Sequence, residues 1–257
     1  IGACRVAHWP RMTGAILLQA ALCLLFGGAA YAQDDAPESY VYATYSVCDL
    51  AKQDRSDEIF AQLDKPILDA AVADKSINSY GLYAHQTGGR WRRVSFTTGP
   101  SVQALLDAQK KMGDQADATN KKLGQEYSSI CNAHDDYIWL RSAGTAGSVS
   151  PGGAAFSTYY VCDETREDQA DALVQQVFAP VYDKMVADGK LKSWGWLEHI
   201  VGGQFRRVAT MGAADVKSLM EARGALVEAM DNAAGNAFTD ICSSHTDYIW
   251  TVKHSNP

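Results

Sequence analysis

The chain is predicted to be an α+β protein made of two tandem β-α-β-β-α-β units, and three observations lead there. A block of sequence recurs at a fixed offset, each copy is about 100 residues long, and the hydrophobic period within each copy alternates between two and 3.6 in the same order. The 257 residues are 47% apolar and 21% charged, a globular composition. A net charge of −7 lacks the basic excess of a nucleic-acid binder, so no nucleic-acid partner is expected.

Taken in order, the chain opens on a leader. The run from Gly14 to Ala30, GAILLQAALCLLFGGAA, has the length of the apolar part of an export signal, and Ala30-Tyr31-Ala32 supplies a small-x-small cleavage site. The expectation is a signal peptide over residues 1–32, with Met12 as an alternative start, and export to the periplasm or the cell exterior. A retained membrane anchor is the competing reading. Against it, the apolar core runs only from Ala15 to Phe26, short of the roughly 20 residues that span a bilayer, so no membrane span is expected in the mature chain. Removing the leader takes away two arginines and no acids, carries the net charge to about −9 and leaves cysteines 48, 131, 162 and 242.

The repeat is direct. Ala43-Thr44-Tyr45-Ser46-Val47-Cys48-Asp49 returns as Ser157-Thr158-Tyr159-Tyr160-Val161-Cys162-Asp163, an offset of 114. The same offset relates Pro66 to Pro180, His85 to His199, Gly88-Gly89 to Gly202-Gly203 and Arg92-Arg93-Val94 to Arg206-Arg207-Val208. Cys131-x-x-His134-x-Asp136-Tyr137-Ile138-Trp139 returns as Cys242-x-x-His245-x-Asp247-Tyr248-Ile249-Trp250 at an offset of 111, so three residues are missing between Val208 and Cys242. The first repeat is assigned to residues 33–141, a Gly/Ser-rich linker to 142–155 and the second repeat to 156–257.

Within the first repeat, residues 41–49 are β-branched and aromatic and form a strand. Ile59, Phe60, Leu63, Ile67 and Ala71 give residues 57–74 a helical apolar stripe, matched in the second copy by Leu173, Val174, Val177, Val181 and Met185. Pro66 and Pro180 should kink or divide that helix. Tyr80–His85 and Trp91–Thr97 flank a Gly-Gly pair as a hairpin. Residues 101–130 form a long helix with a weak point expected at Gly113 or Gly124, and residues 136–141 a final strand. This is the order of the ferredoxin-like unit.

On that element order and unit length, the chain resembles the dimeric α/β barrel superfamily. The resemblance implies that the sheets of the two ferredoxin-like repeats pack as an intrachain dimeric α/β barrel. Apolar side chains on both faces of Asp-Tyr-Ile-Trp agree with a sheet covered on two sides. In this topology the end of the first strand lies beside the start of the fourth, which pairs Cys48 with Cys131 and Cys162 with Cys242 as disulfides. Each would close a loop of roughly 80 residues, contributing about 4 kcal/mol. A zinc centre built on Cys-x-x-His is the alternative.

Four of the five histidines beyond the leader fall at repeat-equivalent positions at one end of the sheets. The candidate ligand-binding residues are His85, Arg93 and His134 with their counterparts His199, Arg207 and His245, lining related pockets for a small anionic or polar ligand. Trp91 and Arg93 should share a strand face, with Arg92 and Val94 on the other; which arginine faces the barrel is open. A structural role for all of these is the competing reading. No Gly-x-Ser-x-Gly elbow, phosphate loop or zinc-helix motif is present, and no catalytic residue or metal site is assigned. The main expectation is an exported, non-enzymatic protein without a cofactor that binds a small molecule or an envelope partner. The alternatives are an enzyme like the cofactor-independent monooxygenases or haem-handling members of the superfamily, and a structural envelope protein.

Overall fold

The computed structural model describes residues 39–256. The expected leader, residues 1–32, lies outside the described residues. In the first unit, strand β1 (Ser39–Val47) leads through a 3₁₀ turn to helix α1 (Gln53–Ile59), a π-helical turn (Phe60–Asp64) and α2 (Lys65–Ala73). Strands β2 (Ser79–Gly88) and β3 (Arg93–Gly99), helix α3 (Val102–Ile130) and strand β4 (Ala133–Ala143) complete it. The second unit repeats the order. Strand β5 (Ala154–Val161) is followed by α4 (Glu167–Leu173), a π-helical turn (Val174–Phe178) and α5 (Ala179–Ala187). Strands β6 (Ser193–Val201) and β7 (Arg207–Ala213), helices α6 (Val216–Met230) and α7 (Ala233–Ile241), and strand β8 (Ser244–Asn256) end the chain.

Pro66 and Pro180 each stand in the first turn of a helix, directly after a π-helical turn. A proline there gives up an N–H that the helix start does not use, and the widened turn relieves the clash with the carbonyl four residues back. The expected weak point in the long helix lies elsewhere. The α3 backbone leaves helical geometry at Asn120 (φ −160°, ψ 81°), not at Gly113 or Gly124, because the Asn120 side chain accepts from the Leu123 N–H and caps a new helical segment. In the second unit Asn232 does the same for α7, accepting from the amides of Ala234 and Gly235, and there the helix separates completely.

The strands close into one eight-stranded barrel in the order β1-β3-β2-β8-β5-β7-β6-β4. Each unit supplies four consecutive strands, and the β2–β8 and β4–β6 ladders join the units edge to edge, all antiparallel. Alternation then sorts the side chains. Tyr45, Tyr137, Trp139, Tyr159, Tyr248 and Trp250 fill the barrel's interior. On the outer face, Tyr80 and Leu82 meet Phe60 and Leu68 of the first helical layer, while Trp194 and Trp196 pack beneath the second. Val47 of β1 stands opposite Ala133 of β4. That pairing brings the cysteines together, and Cys48–Cys131 and Cys162–Cys242 are disulfides spanning 83 and 80 residues, which removes all four as zinc ligands. Among the described residues no helix is long and apolar enough to cross a membrane.

Candidate functional site

The polar residues shared by both repeats are drawn into the framework. Arg93 and Arg207 begin β3 and β7 and point outward to the helices, not into the barrel. Arg93 Nε is 2.5 Å from Asp57 Oδ1, and its Nη1 donates to Gln53 Oε1 (2.8 Å) and to the carbonyl of Arg92 (2.7 Å). Arg207 grips Asp171 through both Nε (2.8 Å) and Nη2 (2.7 Å), and reaches Glu167 at 3.0 Å. The face shared by Trp91 and Arg93 does not form, because β3 starts only at Arg93 and Trp91 turns into the interior with Val94. His85 and Arg93 share the rim of a shallow depression that opens broadly to solvent.

The histidines divide. His85 and His199 lie on the interior face at one end of the barrel, where Arg92 Nη1 is 2.9 Å from His85 Nδ1 and Arg206 Nη1 is 3.0 Å from His199 Nδ1. Burial, and then the adjacent arginine, hold both imidazoles below their ordinary pKa, so each is a neutral acceptor for that guanidinium. His85 meets the edges of Tyr248 and Trp250 of the other unit, and His199 those of Tyr137 and Trp139. The Gly-Gly pairs serve the same joint. Gly202 has φ +146°, and a Cβ there would come 2.2 Å from the Tyr137 ring, while at Gly89 it would come 2.2 Å from the Tyr248 hydroxyl. His134 and His245 point outward, about half exposed, toward Asp136 (3.2 Å) and Asp247 (3.6 Å).

The strongest candidate site is elsewhere, between the outer face of the first sheet and its helices. A pocket of about 320 Å³ opens there, walled by Phe60, Leu63, Ile67, Phe96 and Met112, with Tyr42, Asp64 and Tyr127 among its few polar groups. Asp64 ends the π-helical turn, four residues after Phe60 and next to Leu63, at the edge of the helix's buried face. Its carboxyl has no hydrogen bond or ion pair among the described residues, and burial pushes its pKa up to about 6. The Tyr127 phenol feels that charge, and burial together with Asp64 pushes it up to about 12. Beside them, Gln109 Nε2 donates to Thr97 Oγ1 (3.0 Å) and the Thr44 hydroxyl to Asp136 Oδ1 (2.7 Å). A carboxyl poised near neutrality in an apolar pocket is suited to general acid or base work. Sequence reading passed over Asp64 because it lies among the charged residues of an amphipathic helix. The available signal was its repeat counterpart, Phe178: an acid facing a phenylalanine across the two copies.

The second unit has its own pocket in the equivalent place, about 430 Å³, lined by Tyr160, Tyr182, Arg223, Phe238 and His245. Neither pocket is furnished for haem in the usual way. The first wall carries no histidine or cysteine, and its raised Tyr127 resists becoming a phenolate ligand. The second offers one histidine, His245, whose Nε2 lies 3.6 Å from Asp247 Oδ2.

No family model matches the chain, and no curated protein does. Solved structures do match. A "putative monooxygenase" from Fusobacterium nucleatum aligns with a TM-score of 0.62 at 6% identity, covering 86% of this chain and 95% of that one. An anthrone oxidase-like protein aligns at 0.55 and 12% identity over 86% and 94%. A chlorite dismutase of Candidatus Nitrospira defluvii aligns at 0.51 and 6% identity over 84% and 91%. The expectation of a non-enzymatic exported binder is corrected by these neighbours, whose names are those of enzymes and which favour the enzyme alternative. The expectation of no cofactor draws no support from neighbours of this kind. At these identities the likeness concerns architecture, and the chain has the dimeric α/β barrel fold, closed within one polypeptide.

Proposed function

We propose that the chain is an enzyme of the cofactor-independent oxygenase type, using Asp64 to deprotonate a flat, largely apolar substrate with an acidic C–H or phenolic O–H. The observation that carries this reading is the Asp64 carboxyl, unpartnered among the described residues and held near pH 6 at the wall of an apolar pocket. The aromatic and aliphatic wall binds and orients the substrate and excludes water, which strengthens the base. Asp64 takes the proton, and the Tyr127 phenol, kept protonated by its raised pKa, donates to the oxyanion that develops on the substrate. For a methylene flanked by aromatic rings, as in anthrone, the carbanion adds to dioxygen and Asp64-H returns the proton to the peroxide. Loss of water then leaves a ketone, so one CH₂ and one O₂ become one C=O and one H₂O. The anthrone oxidase-like neighbour lends this substrate class support. Two disulfides support work in an oxidising compartment, periplasmic or extracellular.

The test is oxygen uptake with anthrone as probe. Uptake is expected in the wild type and should fall by about 10²-fold or more in Asp64→Asn, a typical share for general-base catalysis. No uptake, or an unchanged rate in Asp64→Asn, overturns the reading. Titrating the protein with hemin, with and without His245→Ala, tests the haem reading directly: a His245-dependent Soret band would favour it.

A further inference from the structure

The barrel's interior is not filled from end to end. Beyond the layer of Tyr45, Trp139 and Tyr159, toward the end where β1 begins and β4 finishes, lies a cavity of about 230 Å³. It lies on the opposite face of the same strands from the two sheet-and-helix pockets, with Phe96 and Met211 shared between the linings. Its inner part is aromatic and aliphatic; toward its end it gathers hydroxyls from Ser79, Thr98 and Thr210. One cation stands in this wall. Arg141 follows Tyr137 and Trp139 on the interior face of β4, and its Nη2 donates to the carbonyl of Trp194 at 3.1 Å. Among the described residues no carboxylate pairs with it, whereas Arg93 and Arg207 have theirs in hand. Burial, unopposed by any acid, holds the Arg141 guanidinium below its ordinary pKa.

A second, independent observation points into the same cavity. The Trp139 side chain is 1% exposed, lines this cavity and has its indole N–H unpaired, near the Tyr45 hydroxyl but without a well-directed hydrogen bond to it. Its counterpart Trp250 donates to Ser157 at 3.3 Å. A buried donor and a desolvated guanidinium without an anion are both costly unless something meets them. Arg141 has no mate across the pseudo-symmetry axis, since its counterpart is Val252, and the counterpart of Trp139 has its indole N–H satisfied.

We infer that the barrel interior is a second ligand site, taking one small aromatic carboxylate whose anionic group pairs with Arg141 and whose ring lies against Trp139. The inference stands independently of the role of Asp64.

The probe is benzoate, with benzamide as its uncharged counterpart, read by calorimetry and by tryptophan fluorescence. Benzoate should saturate one site per chain with a Kd of about 1 mM or tighter, and benzamide should bind at least about tenfold more weakly. Arg141→Gln should lose benzoate by about tenfold or more. Arg141→Lys, which keeps the charge but not the fork, should lose less, which separates the effect from misfolding. Asp64→Asn should leave benzoate binding unchanged. Absence of saturable benzoate binding to the wild type, equal binding of benzamide, or a site abolished by Asp64→Asn but not by Arg141→Gln would each overturn the inference.

Discussion

The two sheet-and-helix pockets occupy the same place in their repeats and are furnished for different work. In the first, Tyr42, Asp64, Gln109 and Tyr127 bring hydroxyl, carboxyl and amide groups to an apolar wall. At the equivalent positions the second unit has Phe156, Phe178, Arg223 and Phe238, of which Arg223 and Phe238 line its pocket, and Arg223 lies 5.5 Å from the centre of the Phe156 ring. The polar positions that both copies keep behave in the opposite way. Arg93 and Arg207 tie the first helix of each unit to its sheet, and His85, His199 and the glycines pack one unit onto the other. Sameness between the copies marks what holds the barrel together, and difference marks where the copies took on separate tasks.

The sharpest way to break that comparison is to move the carboxyl. Asp64→Asn should cost about 10²–10⁴-fold in kcat/KM for oxygen uptake. Phe178→Asp, which places an acid at the equivalent position of the second unit, against Phe238 of its pocket, should restore none of it when combined with Asp64→Asn. If it does, the pockets are interchangeable and the contrast falls. The pH profile belongs to the same test. Because Asp64 acts as the base, kcat/KM should be flat above neutrality and fall tenfold per pH unit below about 6.

Next in size come the shared arginines, which should affect stability and spare the chemistry. Arg207→Met leaves Asp171 without a cation, held only by the Trp196 indole N–H, and weakens the hold on Glu167; it should lower unfolding free energy by about 3–5 kcal/mol in denaturant titration. Arg93→Met should cost less, about 2–3 kcal/mol, because Asp57 keeps Lys253 of β8 at 3.0 Å. An equal loss would mean that the cross-unit lysine does not carry the remaining charge.

Gly88→Ala and Gly202→Ala should each cost about 1–3 kcal/mol, and by similar amounts, since both glycines have positive φ and face the other unit's tyrosine. A clear inequality in their melting temperatures would show that the joint between units is not symmetric. The smallest effect is a gain. The raised Asp64 pKa means that the folded state binds its proton more tightly than the unfolded chain. Its contribution is therefore present below about pH 4 and lost as pH rises to about 6. At pH 7 Asp64→Asn should be more stable than the wild type by about 1 kcal/mol, and the difference should vanish in acid.

Much of the fold was legible because it is written twice. Cys48 and Cys131 could be paired from strand order alone, and Pro66 located the division of the first helix through its copy, Pro180. The break falls at Asn120 and not at a glycine because an asparagine that caps the Leu123 amide starts a new helical segment, whereas a glycine only lowers helix propensity. The site was largely illegible for a related reason. Repetition draws the eye to His85 and Arg93, while Asp64, whose counterpart is Phe178, becomes conspicuous only when the sheet and its helices enclose a pocket around it. Arg141 was hidden in another way: only closure of the barrel puts the interior face of β4 out of water.

The stretch between β4 and β5, residues 144–153, has a consequence of its own. Where two separate copies of a chain assemble such a barrel, every mutation appears at both positions, and any change that improves one pocket is imposed on the other. Joining the halves in one polypeptide releases that constraint. One copy can hold on to its acid while the other loses it, and a single arginine can stand in an interior where symmetry would have forced two like charges to face each other.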